Sequence, residues 1–170
     1  AFAALEAKGR VVRNPELTAA TEDHVVATTP GRDETTLKMG KVFLEALRRA
    51  TDRERIRNFD LTDAQQGIVH VVAPELGIAL PGATLACGDS HTCTVGGIGS
   101  LSIGVGTSDV EHIMATQTLK LLKPKRMRIT VSGELGVGVT AKDLILHIIG
   151  TVGAAGGVGH AVVPRVVGGL

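Results

Sequence analysis

Apolar positions recur at two periods along the chain, and the alternation between them predicts the elements. Ala1 to Lys8 reads as a short helix ended by Gly9, and Asn14-Pro15 marks a turn. Leu17 to Thr29, polar and β-branched around Asp23-His24, reads as a strand ending in a loop. Leu37, Leu44 and Leu47, with Val42 or Phe43, line one face of a helix from about Thr35 to Ala50 that Asp33 is placed to cap, although Gly40 weakens it. Ile68 to Val72 and Thr84 to Cys87, separated by Pro74 and Pro81-Gly82, have the length and composition of buried strands. Ser108 and Glu111 are spaced as a capping box for a helix to about Leu121. Met127 to Val131 alternates as a half-exposed strand, and Thr140 to Asp143 opens a helix closed by Gly150.

Strands alternating with helices predict an α/β fold with a mostly parallel sheet covered by helices. Ligand groups in such folds collect at the carboxyl ends of strands, so polar residues just after apolar runs are the ones of interest. Residues 1–150 carry this pattern and are expected to form one α/β domain. Residues 151–170 are rich in Gly and Val, show little pattern and read as a tail.

Composition narrows the picture. A chain of 170 residues buries roughly 70% of the surface its unfolded state exposes, enough for a core without staples. With 44% hydrophobic residues but only 2% aromatic, and neither Trp nor Tyr, that core must be Val, Ile, Leu and Ala, which suits parallel strands buried on both faces. Three Phe are too few for a module that stacks bases, and a net charge of +1 with one basic cluster, Lys120 to Arg128, leaves no footprint for a nucleic acid. Apolar stretches are broken well short of the roughly 20 residues a membrane span needs, and no signal-peptide pattern opens the chain. Cys87 and Cys93, with five residues between them, form neither a disulfide framework nor a CxxC pair, so a reducing cytoplasmic setting is expected.

Four polar groups interrupt apolar runs: Asp23-His24, His70, Asp89-Ser90-His91, and Thr92 with Thr94. An Asp beside a His fixes the imidazole tautomer and raises its basicity, as a general acid or base near neutral pH requires. The plainer reading makes His70 a satisfied core histidine and Asp89-Ser90 an Asx-type turn. Ser90 is a poor candidate for a hydrolase nucleophile, because GDSHT lacks the second glycine of the G-x-S-x-G elbow. Gly97-x-Gly99 and Gly104-x-Gly106 do not continue as a dinucleotide fingerprint, which makes a nucleotide enzyme a weak alternative. Gly104 to Ser108 is also placed to present a helix N-terminus to a substrate carboxylate. Cys87, His91 and Cys93 match no usual structural zinc spacing and read better as small thiols. Packing or surface roles suit His112, His147 and His160.

Taken in order, TEDHVV, QGIVHVVAPELGIALPG, CGDSHTCTVGGIGSLSIGVGTSDVEHIMATQTL and VTAKDLILHIIGTVGAAGGVGH resemble the aconitase superfamily over nearly the whole chain. The resemblance is greatest to the iron–sulfur subunits of the branch whose swivelling domain is a separate small subunit. It implies the first, three-layer α/β/α domain of a hydro-lyase that removes and re-adds water on a hydroxy-di- or tricarboxylic acid, with a [4Fe–4S] cluster as Lewis acid. By motif, Asp23 with His24 resembles the acid pair that protonates the leaving hydroxyl, and His70 with Asp89 a second, orienting pair. His91 is implied at the cluster side of the site, with Ser90 and Thr92 as substrate-binding groups.

The departures carry implications of their own. The family's cluster ligands are one Cys and a later CxxC downstream of the matching region, and Cys87 and Cys93 do not correspond to them. A substrate-binding Gln is expected before Ala1, and the proton-abstracting Ser lies in the small subunit, the implied heterodimer partner. The family tail reads GHAVE or similar, whereas Val163 follows His160-Ala161-Val162 here. These points imply a chain shortened at both ends, or frame-shifted, that is inactive by itself and exposes apolar surface. Competing readings are a related hydro-lyase acting on another hydroxy acid and a carboxylate-binding domain without catalysis.

Overall fold

The computed structural model describes residues 1–33 and 36–167, which form two compact units, the first ending at Leu119 and the second beginning at Lys120. The first contains α1 (Phe2–Ala7), a 3-10 turn (Pro15–Leu17), β1 (Ala19–Thr21), α2 (Lys38–Glu54), β2 (Arg57–Phe59), α3 (Val69–Glu75), β3 (Thr84–Cys87), a 3-10 segment (Thr92–Ile98), β4 (Leu101–Gly104) and α4 (Thr107–Thr116). The second contains β5 (Lys125–Ser132), α5 (Ala141–Val152) and β6 (His160–Val167).

Every strand pairing among the described residues is parallel, as the alternation of elements predicts. The strands are distributed over three two-stranded sheets: β1 with β2 from Ala19↔Arg57 to Thr21↔Phe59, β3 with β4 from Thr84↔Leu101 to Cys87↔Gly104, and β5 with β6 from Lys125↔His160 to Ser132↔Val167.

Two apolar clusters hold the first unit. Leu5, Val12, Ile56 and Met114 are buried together, with Phe2 and Val110 packed on them, and so join α1 and α4 to the turn after α2. Ala73, Ala79 and Val95, with Val69 and Leu85, join α3, β3 and the 3-10 segment. This second cluster explains a difference from the sequence reading. Ile68 to Val72 has strand composition, yet Val69 to Glu75 is helical, with Val72 and Ala73 buried and Val71 exposed. Positions 69 and 73 lie on one helical face, and packing that face against Val95 outweighs the weak strand preference of β-branched residues.

Other boundaries moved for local reasons. The expected strand from Leu17 to Thr29 is confined to Ala19–Thr21, after which the chain turns and Val25 takes a left-handed φ of 58°. Helix α2 runs from Lys38 to Glu54, and the expected start at Thr35 lies outside the described residues. Helix α4 ends at Thr116, with Gln117 left-handed at φ 59°, and no Ser108–Glu111 capping box forms. Glu111 instead pairs with Lys8, just past the end of α1, which holds its carboxyl below the usual range. The box at Thr140 and Asp143 does form, with the Thr140 N–H donating to Asp143 Oδ2 at 2.8 Å. Strand β6 lies within the stretch that reads as a patternless tail, paired along its length with β5. The second unit has no buried residue among those described, and Ile145, Leu146 and Ile149 of α5 are each more than 40% exposed.

Candidate active site

The loops that follow β1 and β3 and the first turn of α3 bring His24, His70, Asp89 and His91 together, with Asp89 at the centre. Asp89 Oδ1 accepts the His91 backbone N–H at 2.6 Å, closing an Asx turn, and faces His70 Nε2 at 3.2 Å and His91 Nδ1 at 3.6 Å. Its other oxygen, Oδ2, faces His24 Nε2 at 3.3 Å. The turn and the convergent cluster are therefore the same structure. The His91 N–H, reinforced by the three imidazoles, holds the Asp89 carboxyl below its usual range.

His24 lies between two carboxylates. Its Nδ1 donates to Asp23 Oδ1 at 2.8 Å, and Asp23 Oδ2 in turn accepts the Val69 backbone N–H at 3.2 Å. The hydrogen bond and charge of Asp23, with a further contribution from Asp89, raise the His24 pKa above its ordinary value. Its side chain is 64% exposed, so a proton carried there is open to an incoming molecule. His70 is nearly buried, and its Nδ1 has no hydrogen-bond partner among the described residues. With the ring proton carried on Nε2, facing Asp89, a lone pair rather than an N–H is left unmatched at Nδ1, the more tolerable arrangement in a protein interior.

Ser90 is exposed, with its hydroxyl 3.4 Å from His91 Nδ1. Thr92, expected among the substrate groups, has no exposed surface, and its hydroxyl donates to the Asp89 carbonyl at 2.6 Å. In this geometry Thr92 holds the turn that aims Asp89.

Residues that the sequence reading did not single out decide the placement. Glu22, fully buried at the end of β1, accepts from Arg48 Nε at 2.7 Å and Nη2 at 2.8 Å, from the Leu61 N–H at 3.0 Å and from Asn58 Nδ2 at 3.3 Å. Gln66 Nε2 donates to the Glu22 carbonyl at 2.6 Å, and Thr21 Oγ1 donates to the Gly67 carbonyl at 2.7 Å. Together with the bond from Val69 to Asp23, these contacts fasten the end of β1 to residues 61–69. Fastening them brings His24 toward His70. An acidic residue directly before Asp-His at a strand end was the available signal.

Two glycines admit the site loops. A Cβ on Gly40 would lie 2.2 Å from the Val25 carbonyl oxygen, and one on Gly104 would lie 2.7 Å from the Asp89 carbonyl oxygen and 3.4 Å from Ser90 Cα. These neighbours are backbone atoms and cannot rotate away. Gly104→Ala is expected to destabilise the fold by about 1–3 kcal/mol and to displace the Asp89–His91 turn. A denaturant titration and the His91 ring resonances check it; unchanged stability with unshifted resonances would refute the close approach.

A [4Fe–4S] cluster is normally held by Cys thiolates. The chain has two, Cys87 half-buried at the end of β3 and Cys93 exposed on the following 3-10 segment, and neither is in a disulfide. Two thiols fall short of the usual ligand set, so the residues present do not fit that group.

The family model for aconitases, described as aconitate hydratase, matches residues 1–163. The large subunit 1 of 3-isopropylmalate dehydratase from Bradyrhizobium diazoefficiens is 53% identical over 158 residues, which cover 93% of this chain. The chain spans about a third of that relative's length, 33%. With the GDSHT turn, the Asp23-His24 pair and His70 gathered on one carboxylate and the family pattern running through 163 of its residues, the chain belongs to the aconitase family.

Proposed function

We propose that this chain is part of the large subunit of a 3-isopropylmalate dehydratase, which interconverts 2-isopropylmalate and 3-isopropylmalate by losing and re-adding water in leucine biosynthesis. The observation that carries the reading is the convergence of His24, His70 and His91 on Asp89, in a chain 53% identical to a relative of that name. On this reading the enzyme is cytoplasmic, and a small subunit completes it.

Hydroxide is a poor leaving group, so a proton must reach the departing oxygen as its bond to carbon breaks. His24 holds that proton at Nε2, and Asp23 fixes the ring through Nδ1. When water re-adds, the same nitrogen takes a proton back. Asp89, braced by His70, keeps the His24 ring aligned and balances its charge. Ser90 and His91, both exposed, are the groups that meet the carboxylates of a hydroxy-dicarboxylic acid. Removal of the α-carbon proton falls to a base outside this chain. No step here runs through an iron–sulfur cluster, because the cysteines present do not fit one.

The test is to assemble the intact large subunit containing this region with a small subunit and follow the interconversion of the two isopropylmalates. Interconversion at rates well above those with citrate or homocitrate is expected. A preference for either of those tricarboxylates would overturn the substrate assignment.

A further inference from the structure

The turn that carries His24 is strained. Val25, next to it in sequence, takes a left-handed φ of 58°, a conformation that a β-branched residue adopts only at a cost in free energy. The valine side chain is 43% exposed, so its own packing returns little of that cost. Backbone of this kind persists only where surrounding contacts over-determine it, and such contacts gather at active sites. On one side of the turn, the Val25 carbonyl rests against Gly40 of α2.

The other side is held by Arg32. Pro30 and Gly31 turn the chain, with Gly31 at φ 70°, and the half-buried Arg32 side chain reaches back over the loop. Its Nη1 donates to the Ala27 carbonyl at 3.0 Å, two residues past Val25, and its Nη2 donates to Gln66 Oε1. With its oxygen so engaged, the Gln66 amide turns Nε2 toward the Glu22 carbonyl, two residues before His24. One guanidinium thus ties the loop on both sides of His24 to the segment that leads into α3, the helix that carries His70. A planar guanidinium presents its donors in a rigid fork suited to two acceptors at once, and an ammonium has no such fork.

We propose that Arg32 is a positioning residue for His24, holding the strained turn at Val25 and with it the backbone from which the imidazole reaches Asp89 and the substrate. Arg32 acts through the loop and not on the reacting atoms. Its kinetic consequence rests on the dehydratase reading, and its effect on the turn rests on the fold alone.

The experiment compares Arg32→Ala, Arg32→Lys, Val25→Asn and the pair Arg32→Ala with Val25→Asn, in the assembled enzyme and in the 170-residue chain. Arg32→Ala is expected to lower kcat about 10–100-fold with KM little changed, because a small displacement of a positioned group costs rate more than binding. Arg32→Lys should fall between Arg32→Ala and the parent. Asparagine takes the left-handed conformation more readily than valine, so Val25→Asn should raise the urea midpoint and, added to Arg32→Ala, restore part of the lost turnover. In the 170-residue chain the His24 ring resonances should shift in Arg32→Ala and return toward their parental positions in the double variant. Parental turnover in Arg32→Ala, or a loss that Val25→Asn leaves untouched, would overturn the proposal, the second result making Arg32 a merely structural residue. An assembled parent enzyme without dehydratase activity would overturn the dehydratase reading instead, and the His24 resonances would then decide whether Arg32 holds the turn.

Discussion

Replacing His24 by Gln in the assembled enzyme is expected to lower kcat about 10²–10⁴-fold, the range associated with loss of a positioned general acid or base. The fold should tolerate the change, because the side chain is 64% exposed and sits on a loop. The pH dependence distinguishes proton donation from simple positioning. Asp23 raises the His24 pKa, so the protonated form persists above the ordinary histidine value and the acid is lost only as pH rises through the raised value. The alkaline limb of kcat/KM in the parent enzyme should therefore lie above that of Asp23→Asn. An unmoved limb in Asp23→Asn, or near-parental turnover in His24→Gln, would remove His24 from the acid role.

Glu22→Leu is expected to cost about 3–5 kcal/mol of stability, the range for breaking one side of a buried charged pair. Leucine fills much of the volume but accepts nothing, and the Leu61 N–H, Asn58 Nδ2 and two nitrogens of Arg48 all lose this acceptor. Because the Arg48 side chain is 28% exposed, water recovers part of its solvation and the lower end of the range applies. Glu22→Gln retains an acceptor of the same shape and should cost less. Chemical denaturation measures both, and the His24 ring resonances report whether the neighbouring loop moves. Equal stability of Glu22→Leu and the parent chain would show that the buried cluster contributes nothing to the fold.

The candidate groups of the site were legible in the sequence because they depend on residue type and local order. Asp23-His24 are adjacent, Asp89 and His91 lie within a single turn, and each pair follows a short strand, so nearness within each group required no fold. Local rules also placed β3 at Thr84–Cys87 and the cap of α5 at Thr140 and Asp143, where both partners lie within one helical turn of each other.

What only the tertiary structure decided was how distant segments meet. Val69 to Glu75 is a helix because Val69 and Ala73 find Val95, more than twenty positions away, and no window around Ile68 contains that partner. Glu111 left its capping position for Lys8, 103 residues earlier. Gly40, which counts against a helix on local propensity, lies where α2 meets the backbone of Val25, and Gly104 where β4 meets that of Asp89. The convergence of His24 and His70 rests on a buried carboxylate, Glu22, which in sequence is one more charge in a polar run. Residue identity determined which groups can carry protons, while burial and long-range hydrogen bonds, which no local pattern encodes, determined that they face one another.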